Sequence, residues 1–180
     1  MLGGELLVNG AYSGSQVSGT EFPSSNCYER IRALQTDSIP DCIIVHMGYN
    51  DYGFNRLIDS ETNDLNCFYP AYITMLRRLQ EIYPHARIIC STLMKTYVTF
   101  RPDWYMPEKN ETGVAFDEYN QAIRKACAEC HVELADLAKT GIIYDTLDGC
   151  HGTDKGHRDW SSDVCSSDLE MTEAWKKCLL

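Results

Sequence analysis

The sequence predicts an α/β fold built on a parallel sheet, and three observations carry that prediction. Two near-continuous apolar runs, "DCIIVHMG" at 41–48 and "ARIICST" at 86–92, suit parallel strands buried on both faces. Two stretches with helical periodicity, at 68–82 and 115–131, supply amphipathic helices. Their alternation with the strands implies right-handed βαβ crossovers. A chain of 180 residues, 44% of them apolar, is one domain with a sizeable core.

Residues 5–9, Glu-Leu-Leu-Val-Asn, read as a short strand running into a small-residue loop, "NGAYSGSQVSG" at 9–19. Asn26 and Glu29 have the spacing of a capping box, opening a helix to about Gln35. After the strand at 41–48, the helix at 68–82 places Met75, Leu76, Leu79 and Ile82 on one stripe, and Pro84 stops it. The strand at 86–92 follows. Residues 97–113, holding Pro102, Pro107 and Gly113, read as a long aromatic loop. Its Tyr97, Phe100, Trp104 and Tyr105 suit stacking on a sugar ring, or equally packing within the loop. The helix at 115–131 turns Phe116, Tyr119, Ile123 and Ala126 inward, and "VELADLA" is a short last strand. Residues 170–180 form a closing helix with Met171, Ala174, Trp175, Cys178 and Leu179 at core spacing. There is no internal repeat, so 1–180 is a single domain.

A formal charge of −10 argues against holding nucleic acid or an anionic membrane through bulk charge. No stretch approaches the roughly 20 apolar residues of a membrane span. Nine scattered cysteines, some inside apolar runs, read as small buried hydrophobes in a reducing, cytoplasmic compartment rather than as a disulfide framework. Cys127 and Cys130 have CxxC spacing but lie inside a helix without a second pair, which favours packing over a metal or redox site. No cofactor and no metal site is expected.

In a parallel sheet the loops leaving the C-terminal strand ends share one edge, where ligands bind. Three such loops hold candidate residues: "YSGS" (12–15), "GYND" (48–51) and "DGCH" (148–151). Singly, each has an ordinary explanation. Gly14 suits a tight turn, Asn50 and Asp51 bond nearby backbone, Asp148 caps a turn, and His151 sits in solvent. Their order along the chain is what points to chemistry.

That order resembles the SGNH, or GDSL-like, hydrolase superfamily. Its members carry a nucleophilic serine in block one, a glycine in block two, GxND in block three and DxxH in block five. Here Gly14, then Gly48-Tyr49-Asn50-Asp51, then Asp148-Gly149-Cys150-His151 match the last three. The resemblance implies a three-layer α/β/α fold, a doubly wound parallel sheet of flavodoxin-like type. It implies that His151 is the general base and Asp148 its orienting partner. It also makes the Gly14 N–H and the Asn50 amide oxyanion donors.

By the same resemblance the nucleophile should stand on the turn after a first strand, ahead of the glycine loop. Only eight residues precede Asn9, and none is a serine. A strand-plus-helix unit of roughly 30–45 residues is therefore expected upstream of Met1, with the fold here lacking its first strand and helix. Ser13, Ser15 and Ser18 are the nearby alternatives, but they occupy the glycine loop. A second break is "RDWSSDVCSSDL" at 158–169. Deleting it leaves "DKGHEMTEAWKKCLL", which is continuous in pattern. The twelve residues resemble a translated sequencing adapter and read as a non-native insert, a natural Ser/Asp-rich loop being the alternative.

The functional expectation is a serine esterase acting on small-molecule acyl esters, of a carbohydrate or a lipid, and inactive where the nucleophile is absent. The rival is a non-catalytic ligand-binding module on the same fold. A metal-dependent hydrolase using Asp51 or Asp148 lacks a His/Asp cluster at ligand spacing.

Overall fold

The computed structural model describes Leu7, Gly10 and residues 14–19, 39–60, 62, 64–149 and 151–154, apart from the side chains of Pro102 and Trp104. The expectations for the strand at 5–9 (beyond Leu7), the helix at 26–35, the stretch 158–169 and the helix at 170–180 lie outside the described residues, as does Ser13.

Three strands, β1 (Cys42–Val45), β2 (Arg87–Ser91) and β5 (Glu133–Ala135), form a parallel sheet in the order β1-β2-β5. Its register pairs Ile44 with Ile89 and Cys90 with Leu134. The crossovers carry helices α2 (Phe68–Ile82) and α3 (Phe116–Cys130), which pack on each other. The α2 stripe read from the sequence is the buried one: Met75, Leu76 and Leu79 are sequestered with Phe68 and Tyr72. These side chains meet Tyr119, Ile123 and Ala126 of α3 over Val45, Ile88 and Cys90 of the sheet. Each large apolar side chain buried there contributes about 1.5–3 kcal/mol. A smaller cluster, Ile89, Met94, Ala135 and Leu137, is separate from it. The fold is α/β with a parallel sheet, as the sequence predicts.

Four details differ from the sequence reading. β1 is not buried on both faces. Cys42 is exposed and Ile44 is 53% exposed, because β1 is an edge of the described sheet and its alternate residues turn away from the helical core. The stretch at 97–113 is not all loop. It opens with a hairpin, β3 (Thr96–Val98) and β4 (Arg101–Tyr105), whose β3 runs parallel to β6 (Tyr144–Thr146). β5 is therefore not the last strand. Finally, Tyr49–Gly53 is a one-turn helix, α1, rather than a simple turn.

Cys67, Cys90, Cys127 and Cys130 are free and buried, the last two on the inner face of α3. No helix among the described residues is long and apolar enough to cross a membrane.

Candidate active site

β1 hands over to α1 through Gly48, at φ 134°. A side chain there would be strained, and its Cβ would stand 3.0 Å from Leu93 Cδ1 and 3.1 Å from Phe68 Cζ. This tight passage delivers Asn50 and Asp51 against the loop at 14–19. Asn50 donates through Nδ2 to the Ser15 carbonyl, 2.8 Å away. An amide nitrogen has two protons, so the same group retains a donor for a ligand. Asp51 is fully buried and accepts from the Val17 N–H (3.0 Å), the Ser18 N–H (2.9 Å) and the Ser18 hydroxyl (2.6 Å). Burial pushes its carboxyl up to about 6, against the pull of those donors. Arg56 Nε adds a bond of 2.8 Å to the Gln16 side chain. The loop bearing Gly14 is thus held by five hydrogen bonds, four to Asn50 and Asp51 of the GYND helix and one to Arg56 just beyond it, while Gly14 itself stays exposed.

The DGCH loop leaves β6, in the second, mixed sheet of order β4-β3-β6, and not the last strand of the parallel one. Asp148 Oδ1 accepts the His151 backbone N–H at 2.8 Å, and Oδ2 lies 2.7 Å from His151 Nδ1. A carboxylate only accepts, so this contact calls for the proton on Nδ1 and leaves the lone pair on Nε2. That is the tautomer a general base needs. Both side chains are open to solvent, at 64% for His151 and 55% for Asp148.

The two halves meet through the segment that leaves β2. The Tyr49 hydroxyl donates to the Met94 carbonyl (2.7 Å) and accepts the Met94 N–H (3.0 Å). Two residues on, the Thr96 hydroxyl donates to the Gly149 carbonyl at 2.7 Å. Gly14 and Asn50 therefore share one contact group and Asp148 and His151 another, and residues 94–96 join them.

Among the serines weighed as nucleophiles, Ser18 is buried and gives its hydroxyl to Asp51, not to His151. Ser15 is buried beside Asn50. Asp51, considered as a metal ligand, has both oxygens committed to the loop, and no group of three His, Cys, Asp or Glu among the described residues is arranged to hold a metal ion.

The sequence reading missed His46, at the end of β1, whose Nδ1 lies 2.5 Å from the buried Ser91 hydroxyl. Burial pulls its titration down to about 4. A histidine inside "CIIVHMG" was the only available signal.

The sequence matches the GDSL-like lipase/acylhydrolase family over residues 1–158. The chain belongs to that family. It is a hydrolase of the GDSL class, a family of ester-cleaving acylhydrolases. Solved structures share the fold. A Lactobacillus plantarum protein, 22% identical, matches with a TM-score of 0.72 over 93% of this chain and 79% of its own. A candidate GDSL-like lipase from Bacteroides uniformis ATCC 8492, also 22% identical, gives 0.58 over 92% of this chain and 67% of its own. One from Bacteroides ovatus ATCC 8483, 18% identical, gives 0.59 over 91% and 66%. No curated protein matches the sequence.

Proposed function

We propose that this GDSL-family chain carries the base and the oxyanion donors of a serine esterase for small-molecule acyl esters, carbohydrate esters included. The observation that carries the reading is the 2.7 Å contact of His151 Nδ1 with Asp148, which leaves Nε2 as the proton acceptor. In the reaction, His151 Nε2 takes the proton of a serine hydroxyl as its oxygen attacks the ester carbonyl carbon. The Gly14 N–H and the Asn50 amide receive the oxyanion, and the serine N–H joins them. The intermediate collapses, the alkoxide leaves with the proton from His151, and an acyl-serine remains. Water, deprotonated by His151, then releases the acid. Asp148 stabilises the imidazolium in both halves. No cofactor enters these steps.

The serine in this reading is neither Ser15 nor Ser18, which serve the Gly14 loop, but one encoded upstream of Met1. The test compares residues 1–180 with the same chain preceded by its upstream codons, on short p-nitrophenyl esters. Turnover is expected only in the extended chain. There, His151→Ala should remove most of the rate, and Asn50→Ala should lower kcat by roughly a hundredfold or more. Burst kinetics and full turnover from residues 1–180 would move the nucleophile into the glycine loop. An extended chain that binds esters without cleaving them would replace the esterase with a ligand-binding module.

A further inference from the structure

An exposed Asp–His pair does not orient itself, because a surface ion pair is weak and its side chains are free to rotate in water. Something beneath Asp148 and His151 has to hold them, and the described residues contain a candidate. Gly149, between the two, is buried and sits at φ 99°. Both its peptide groups are gripped by threonine hydroxyls. The Thr96 hydroxyl donates to the Gly149 carbonyl at 2.7 Å, and the Gly149 N–H donates to the Thr146 hydroxyl at 3.0 Å. Thr146 in turn donates to the Tyr97 carbonyl at 2.5 Å, so each of its hydroxyl roles is used. Thr96 is 1% exposed and Thr146 0%, so water does not replace either bond. The two residues belong to neighbouring strands, β3 and β6, whose parallel register pairs Thr96 with Tyr144 and Val98 with Thr146.

We infer that Thr96 and Thr146 are positioning residues for the base, a buried bracket on Gly149 that fixes the turn in which Asp148 reaches His151 Nδ1. This deepens the esterase reading and rests on it. Neither threonine contacts the reacting atoms. Each fixes one of the two peptide groups that flank Gly149, and rotation of either would swing Asp148 and His151 apart. The rest of the turn supports the bracket: the Leu147 N–H bonds the His151 carbonyl at 2.8 Å, and the Thr153 hydroxyl bonds Asp145 at 2.9 Å. Thr96 also lies two residues from Met94, which Tyr49 holds, so the bracket ties the base to the GYND helix as well.

The test reads the His151 tautomer from its ring 15N shifts in residues 1–180 at a pH where the imidazole is neutral, and so needs no catalysis. The wild-type chain should hold the proton on Nδ1. Asp148→Asn, the control, should release it to the free-histidine mixture, in which Nε2–H prevails. Thr96→Val and Thr146→Val keep the side-chain volume and delete the hydroxyl, and should shift the ring toward that mixture. Thr96→Ser and Thr146→Ser should restore the wild-type state. A dispersed amide spectrum checks folding, and alanine variants replace any valine variant that fails it. Two hydroxyl-free variants with the wild-type tautomer would overturn the bracket. If Asp148→Asn itself changed nothing, the Asp–His reading would fail, and the bracket with it. In the catalytically competent chain, the valine variants should lower kcat at least about tenfold with KM nearly unchanged, because misplacement of a base acts on the transition state. His151→Ala inactive with Thr96→Val fully active would leave the esterase standing and remove the bracket.

Discussion

Asp51 closes the GYND motif and His46 lies just ahead of it, and burial moves the titration of each toward its neutral form. Asp51 titrates near 6 in the fold against 3.8 ordinarily, so between those values the folded chain holds a proton that the unfolded chain has lost. Its contribution is fullest below pH 3.8 and is lost as pH rises through 6. His46 titrates near 4 against 6.5, so in that window the unfolded chain holds the extra proton. Its contribution is lost as pH falls. Each slope is about 1.4 kcal/mol per pH unit, and the signs are opposite. From these two groups, the wild-type unfolding free energy should be nearly flat between pH 4.5 and 6. Asp51→Asn should expose the histidine slope and be less stable at pH 4.5 than at pH 6 by about 2 kcal/mol. His46→Gln should tilt the other way. Urea titrations at the two pH values measure both, and two variants as flat as the wild type would refute the opposition. The sequence holds both residues in plain view. Their burial depends on the 14–19 loop and on Ser91, partners 33 and 45 residues away, and no local pattern encodes those contacts.

At the scale of elements, legibility followed the length of the periodic pattern. The 15-residue helix α2 spans Phe68–Ile82 as its apolar stripe and Pro84 dictate, and α3 likewise. β2 has five residues, with Ile88, Ile89 and Cys90 as a buried apolar centre, and is equally plain. β3 and β6 have three residues each, "TYV" and "YDT", too short to show a period. β4 includes Pro102, which reads as a loop signal but is tolerated because β4 is the edge strand of the order β4-β3-β6. The motifs GYND and DGCH were visible in the sequence. The sheet that carries DGCH was not, because β3 and β6 are 46 residues or more apart and pair through tertiary contact. The passage from β1 into α1 gives a test at this scale. Gly48→Ala would put a Cβ into a left-handed backbone and against Leu93 and Phe68, and should destabilise the chain by about 2–4 kcal/mol. A urea midpoint unchanged by Gly48→Ala would mean that β1 and α1 can be joined in another way. Gly53→Ala, at a position with open space around it and an ordinary φ, is the control.

At the scale of the molecule, the apolar core of the described residues is concentrated in α2, α3 and the parallel sheet. The family match ends at residue 158, and the twelve residues 158–169 have Trp160, Val164 and Leu169 as their main apolar bulk among Ser and Asp. From that composition we expect little buried apolar surface to offset the entropy of ordering such a segment. Carrying it as a longer connection costs little, because doubling a loop adds only about 0.6 kcal/mol. We therefore expect deletion of 158–169 to leave the urea midpoint unchanged or higher, with the amide signals of α2, α3 and the sheet in place. Independently primed reads of the source DNA test the same point at its origin: codons for 158–169 within continuous genomic sequence would make the stretch native. A deletion that lowers stability by more than about 1 kcal/mol would go further, since a loss of that size needs buried contacts, and would give these residues a place in the core.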